Sequence, residues 1–285
     1  MGIILKNKVV VVKVFNNNII LVRDKGIEKV LFAKGLGFGK KFGETLNPGL
    51  MVEKLFKIEN EDNQRNMNEV ISRVDPEFFA LCQEAIVDIS EELGEKLNES
   101  IHIGLVDHLS FAIKRIESNE EIENPFLVEI QTLYKKEFNL AVKLAKKIGD
   151  AINVKIPNGE AGFIALHIHS ARNNGNLSNT IKYSSLSNTI VRHVEKRLDI
   201  EIDRESLDYA RFLIHIRFAV ERILLDNHIK NDLMGVIKKR YKVSYKIAEE
   251  ASIILEKGLD KKVTKDEIAY LAMHIERFKS SIEKA

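Results

Sequence analysis

The stretch His108-Leu109-Ser110-Phe111-Ala112-Ile113-Lys114-Arg115-Ile116 returns as His215-Ile216-Arg217-Phe218-Ala219-Val220-Glu221-Arg222-Ile223. A second stretch, Glu160-Ala161-Gly162-Phe163-Ile164-Ala165-Leu166-His167-Ile168, returns as Glu267-Ile268-Ala269-Tyr270-Leu271-Ala272-Met273-His274-Ile275. Both returns are offset by 107 residues, so each copy separates its two histidines by 59. Solenoid repeats run to about 20–50 residues. A repeat this long reads instead as two tandem modules, each carrying the same histidine pair.

Working outward, the modules read as helical. Asp75-Pro76-Glu77 supplies an N-cap, a proline at the first helical position and an acid in the first turn. Phe78, Cys82, Ala85, Ile89 and Leu93 follow at helical spacing, and Gly94 is placed to end the helix. Leu105–Ile116, Pro125–Ala151 and Glu160–Ala171 are expected as further helices, and the second copy repeats the pattern without a proline. The polar stretches 59–74 and 173–182 read as linkers, the first with room for a helical turn at its end. The expected organisation is a small β-rich domain over 1–58, all-α helical-bundle domains over 75–172 and 183–285, and linkers between them.

The head reads as β structure. Val9–Phe15 and Ile19–Val22 are rich in β-branched residues, and Asn16-Asn17-Asn18 between them suits a hairpin turn. Val30–Phe32 and Val52–Phe56 are further short strands. Between these lies Ala33-Lys34-Gly35-Leu36-Gly37-Phe38-Gly39-Lys40-Lys41-Phe42-Gly43, whose glycines let backbone lie close to a ligand. No Gly-Lys-Ser/Thr follows it and no helix signature succeeds it, so it is neither a phosphate-binding loop of the Walker type nor a dinucleotide fingerprint.

Net charge is +2 over 285 residues, but it is unevenly spread. Residues 1–57 hold eleven Lys/Arg against four acids and carry +7, which leaves −5 on the remainder. A basic head suits a polyanion and suits a solvated basic surface equally well. The single cysteine, Cys82, excludes an internal disulfide framework and reads as a small core residue. No apolar run approaches the roughly 18 residues of a membrane span, and the first residues lack a signal-peptide pattern. The expectation is a cytoplasmic protein without membrane insertion.

A lone histidine in an amphipathic helix is usually a satisfied core residue. Here four stand at equivalent places while neighbours have changed: Ser110 to Arg217, Lys114 to Glu221, Gly162 to Ala269. That favours a function for the pairs. Metal ligation is one option, in an all-helical metal-dependent hydrolase with a basic accessory domain. Against it, His167 and His169 project about 200° apart on a helix, and no HExxH is present. Serine or cysteine nucleophilic catalysis lacks a supporting motif. Reversible phosphorylation is the third option: neutral imidazole is a good phosphoryl acceptor, and the product places a near-divalent anion on a packed surface. Asp107 and Arg115 are placed to orient the ring or meet the phosphate, and Asp107 is equally well read as a helix N-terminal acid.

At this point the chain resembles the BglG/SacY family of transcription antiterminators over essentially its whole length. Lys13-Val14-Phe15-Asn16-Asn17-Asn18 and Lys34-Gly35-Leu36-Gly37-Phe38-Gly39-Lys40-Lys41 resemble the family's co-antiterminator RNA-binding domain. Asp107-His108, Leu166-His167-Ile168, Ile214-His215 and Met273-His274-Ile275 fall at the histidine sites of its paired regulatory domains. The run His102–Arg115, with Asn124-Pro125-Phe126-Leu127 and His167-Ile168-His169-Ser170, is most similar to the glucose-operon branch.

The resemblance implies a homodimer with no catalytic activity, cofactor or metal. Its head binds a hairpin in leader mRNA and lets transcription continue into a sugar phosphotransferase operon. It implies phosphorylation of His108 and His167 by the sugar-specific transporter component (enzyme II), which inactivates, and of His215 and His274 by the phosphocarrier protein HPr, which stimulates. It implies RNA contacts from Lys13, Asn16, Asn18, Lys34, Gly35, Phe38, Lys40 and Lys41. Asparagines can reach base edges, Phe38 can stack on an unpaired base, and the lysines can neutralise phosphates. From the residues alone, Asn16–Asn18 also reads as a plain turn, Phe38 as a core aromatic and the lysines as a solvated face. The residues before Lys13 extend past the usual family start and are expected to lengthen the first strand or alter the dimer edge. Lysine at 34, where the family often has arginine, keeps charge but loses bidentate contact.

Overall fold

A computed structural model describes residues 2–58, 60–120, 122–173, 176–227 and 229–282. Residues 59, 174 and 175 of the expected linkers, and 283–285, lie outside it. The head contains β1 (Ile3–Ile4), β2 (Val9–Val14), β3 (Ile19–Asp24), β4 (Ile27–Phe32), β5 (Thr45–Leu46), β6 (Met51–Val52) and β7 (Lys54–Ile58). An antiparallel sheet runs β5-β2-β3-β4-β7, and β1 pairs with β6 in a separate two-stranded sheet. The residues before Lys13 therefore do not simply lengthen the first strand; Ile3 and Ile4 form their own ladder with Val52 and Met51. The alternating apolar residues of β2–β4 close a small core of Val9, Val11, Ile20, Val22 and Leu31.

Then come α1 (Glu61–Arg73), α2 (Pro76–Leu93), α3 (Ile101–Glu117), α4 (Leu127–Leu133), α5 (Lys135–Ile152), α6 (Asn158–Arg172), α7 (Leu177–Leu198), α8 (Leu207–Leu224), α9 (Met234–Arg240), α10 (Lys242–Leu259) and α11 (Lys265–Ile282). Shifting by 107 carries α3 onto α8, α4 onto α9, α5 onto α10 and α6 onto the start of α11, and sends α2 onto α7 to within two turns. The left-handed residues Asn119 and Asn153 likewise map onto Asp226 and Asp260. The repeat read from the histidines is thus a repeat of the whole five-helix module.

Asp75 caps α2 by accepting from the Glu77 and Phe78 amides, and Gly94 ends it at φ 67°. Three expectations need correction. The stretch 59–74 is no open linker: α1 is a full helix, capped by Asn60, that buries Met67, Val70 and Ile71. Polar residues dominate its composition, but its few apolar residues fall on one face. Most of 173–182 is helix as well, because α7 begins at Leu177 and buries Thr180 and Ser184. Small polar residues look like a loop in sequence, yet here they pack against the module. The expected Pro125–Ala151 helix is two helices broken at Tyr134, whose buried ring sits in non-helical backbone at φ −125°, ψ 41°.

The chain clusters into two compact units, residues 1–123 with 139–176, and residues 124–138 with 177–285. In the first, the head and α1, α2, α3 and α6 share one body. In the second, α4 packs on α7 and α8, where Glu129 accepts hydrogen bonds from the Tyr209 hydroxyl at 2.9 Å and the Asn188 amide at 3.1 Å. No helix among the described residues is long and apolar enough to cross a membrane.

Candidate functional site: two histidine pairs and a basic glycine loop

In the first unit, α3 and α6 bring His108 and His167 together, with ring centroids 5.3 Å apart. Glu160, two turns earlier on the same face of α6, is 1% exposed. Its Oε2 lies 3.0 Å from His108 Nε2, and its Oε1 accepts from Arg115 at 2.8 Å. The histidine contact is not aligned as a hydrogen bond, which leaves His108 Nε2 and Glu160 Oε2 without a partner, and Arg115 Nε has none either. Only five buried side-chain polar atoms among the described residues are in that state. Three of them meet at this point, which gathers the polar atoms without an aligned protein partner beside the first histidine pair. Burial raises the Glu160 carboxyl pKa, but His108 and Arg115 outweigh it and hold it below the usual value. Burial, then the neighbouring His108, depresses His167 to about 3, so it is neutral at pH 7.

In the second unit, His215 of α8 and His274 of α11 are stacked, with centroids 3.9 Å apart. Arg222 and Glu267 form a closed bidentate pair at 2.6 and 2.7 Å. His274 is depressed to about 4, chiefly by burial, then by His215 and Arg277. His215 is lowered by burial, Arg222 and Arg277. Arg211 and Arg277 approach one carboxylate, Asp208, at 3.6 and 3.4 Å. Their equivalents in the first copy are Gly104 and Ser170, so the second pair has an excess of positive charge that the first lacks.

Glu160, Arg115, Glu267 and Arg222 lie inside the repeated segments and were readable there as a repeated ion pair. Asp107 does not orient His108; it pairs with Arg73 of α1, whose guanidinium also lies 4.6 Å from the Phe111 ring centroid.

In the head, the expected RNA residues divide into two sets. Asn16 Oδ1 accepts from the Asn18 and Ile19 amides at 2.9 and 2.8 Å and builds the β2–β3 turn. Asn18 Oδ1 accepts from the Gly35 amide at 3.0 Å and fixes the glycine loop to that turn. Asn16 Nδ2 donates to Glu84 at 3.3 Å, and Lys13 Nζ donates to the Ile71 carbonyl at 2.9 Å. Phe15 stacks on Phe79 at 4.2 Å beside them. Lys13 and Asn16 are thus engaged by α1 and α2. Lys34, Gly35, Phe38 and Lys41 are exposed, and Lys40 pairs with Glu44 at 2.5 Å. Phe38 is 76% exposed and is not the core aromatic its type allows.

A basic head with an exposed aromatic loop, joined to a twofold-repeated histidine-bearing helical module, defines a class: an RNA-binding regulator with paired control domains. The family models match accordingly, the CAT RNA binding domain over residues 9–65 and the PRD domain over 56–171 and 188–278. The chain is 34% identical to the transcription antiterminator LicT of Bacillus subtilis (strain 168), over 94% of this chain and 98% of the relative. It is 31% identical to the beta-glucoside operon antiterminator of Dickeya chrysanthemi, over 96% and 98% of the two chains. It is also 31% identical to the protein GlcT of Staphylococcus aureus (strain MRSA252), over 97% and 99%. A crystal structure of GlcT CAT-PRDI aligns with 38% identity and a TM-score of 0.50, over 59% of this chain and all of that one. The chain belongs to the transcription antiterminators built from a CAT RNA-binding domain and PRD domains, a family of RNA-binding regulators and not of enzymes.

Proposed function

We propose that the head binds a hairpin in nascent leader RNA as half of a homodimer, and so keeps a terminator from forming ahead of a sugar phosphotransferase operon. Histidine phosphorylation sets the activity: negatively at His108 and His167, by the sugar-specific transporter component, and positively at His215 and His274, by the phosphocarrier HPr. The observation that carries this reading is the opposed electrostatics of the two pairs. A phosphoryl group on the first pair would meet the buried Glu160, whose charge the single bond from Arg115 offsets only in part. On the second pair it would meet Arg211 and Arg277, which share a single carboxylate. The same added anion therefore loosens the first module and tightens the second. In the proposed dimer equivalent histidines would lie near the two-fold axis, so loosening the first module would cost dimerisation. The Arg73–Asp107 pair and the contacts of Lys13, Asn16 and Phe15 supply a route from α3 to the head.

The test is to phosphorylate the full chain with phosphoenolpyruvate, enzyme I and HPr, with and without the transporter component. Acid-labile phosphate is then counted in each His→Ala variant, and RNA binding is measured before and after. Label should fall with each pair removed, and RNA binding should fall only when the first pair is modified. Undiminished label in a chain lacking all four histidines would overturn the assignment.

A further inference from the structure

Phe42 is 82% exposed, more than any other large apolar residue of the described chain. It projects from a loop anchored on both sides of Phe38 and Phe42. Gly37 donates to the Asn17 carbonyl at 2.8 Å, and Gly43 donates to the Val11 carbonyl at 2.9 Å. The Lys41 amide donates to Glu44 at 3.2 Å, and Leu36 is buried beneath. Gly39 and Gly43, at φ 70° and 79°, adopt the left-handed backbone that turns the chain on either side of Lys40-Lys41-Phe42. A rigid loop that holds two phenylalanines, Phe38 and Phe42, in water forgoes their burial, which elsewhere would stabilise the fold.

The surroundings say what covers them. The Lys34 and Lys41 ammonium groups have no ion partner among the described residues. A cavity of about 550 Å³ opens along the same loop, lined by Lys34, Gly35, Lys40, Asn47, Leu50 and Met51. Flat aromatic faces with flanking cations and an adjoining groove fit unpaired nucleobases on a phosphate backbone, because every base has a face to stack and every linkage an anion to neutralise. A protein partner would meet surplus positive charge at the same place.

We propose that Phe42 is a second base-stacking residue of the head, working beside Phe38, so that the loop takes two unpaired bases of the RNA rather than one. This rests on the RNA-binding reading of the head and extends it to a residue outside the sequence resemblance.

The chain contains no tryptophan, so Phe42→Trp makes residue 42 the sole tryptophan emitter. The RNA is a hairpin selected by the wild-type chain from a pool with randomised internal loops, and the same stem fully paired is the control. Binding is read independently by anisotropy of labelled RNA. The full-length Phe42→Trp chain should bind the selected hairpin, with tryptophan emission quenched in step with binding and not by the paired control. Phe42→Leu keeps apolar surface but lacks a ring, and should weaken binding by about 5- to 150-fold, the range for loss of one stacked base. Sedimentation of the free protein should be unchanged. Unquenched emission during full binding, or wild-type affinity in Phe42→Leu, would overturn the proposal and leave RNA binding standing. So would a changed association state in Phe42→Leu, which would make Phe42 a protein contact. Failure of the wild-type chain to select any hairpin would overturn the RNA reading of the head, and this proposal with it.

Discussion

Placing a fixed negative charge at position 108 should destabilise the first unit through Glu160 and through little else. His108 Nε2 lies 3.0 Å from Glu160 Oε2, and Glu160 is 1% exposed. In His108→Asp the shorter side chain would set two carboxylates about 5 Å apart, a repulsion of about 3 kcal/mol at an effective dielectric of 20. Arg115 stays in place to offset part of it, which leaves about 2–3 kcal/mol. For a unit of this size, each kcal/mol moves Tm by roughly 2–4 °C, so the transition should fall by about 4–12 °C. His108→Asn separates charge from lost ring packing and should melt well above His108→Asp. The double variant His108→Asp/Glu160→Gln should recover most of the difference, a coupling of about 2 kcal/mol. The loss should also shrink in acid, because paired carboxylates share a proton. In the second module His215→Asp meets Arg222 and Arg277 and should melt no lower than His215→Asn. Differential scanning calorimetry and RNA anisotropy on the intact chains provide both readouts. If His108→Asp and His108→Asn melt together, or Glu160→Gln gives no rescue, Glu160 is not the group that senses charge at His108.

Two further outcomes follow from the same geometry. His102 and His167 are held neutral, at about 4 and about 3 against an ordinary 6.5. Their folded pKa values are depressed, so the unfolded chain binds more protons below 6.5. The stability they share is full above that pH and is lost as pH falls, by about 2 kcal/mol per histidine between pH 6.5 and 5. Urea titrations of the first-unit transition at pH 7 and pH 5 should show this drop, and His102→Gln should reduce it; an unchanged difference would refute the assignment. A Cβ at Gly37 would fall 2.1 Å from the Asn16 carbonyl oxygen, a backbone atom that cannot swing aside. Gly37→Ala should therefore part the glycine loop from the Asn turn, with a loss of about 1–3 kcal/mol and of RNA affinity. Calorimetry of Gly37→Ala beside an exposed control, Lys41→Ala, checks it.

What the sequence disclosed, and what it withheld, follows from how the information is carried. The histidine pairs were legible because two copies state them, and the 107-residue shift that reveals them also carries α3, α4, α5 and α6 onto their partners. The cap of α2 was legible because Asp75-Pro76 and Gly94 are local chemistry. Helix α1 was not, since its burial of Met67, Val70 and Ile71 depends on neighbours far along the chain, and composition alone shows a polar run. The break at Tyr134 was hidden for the same reason: a buried aromatic overrides helical periodicity only once its pocket exists. Within the site, Glu160 and Glu267 were visible as repeated letters, but Arg211 and Arg277 were not, because they have no counterpart in the first copy. Searching for repetition finds what the modules share and passes over what makes them differ. The opposite responses proposed for the two pairs need the second kind of residue. Under the proposed phosphorylation, the positions that changed around the shared histidines, Gly104 against Arg211 and Ser170 against Arg277, are the ones that would set the sign of the response.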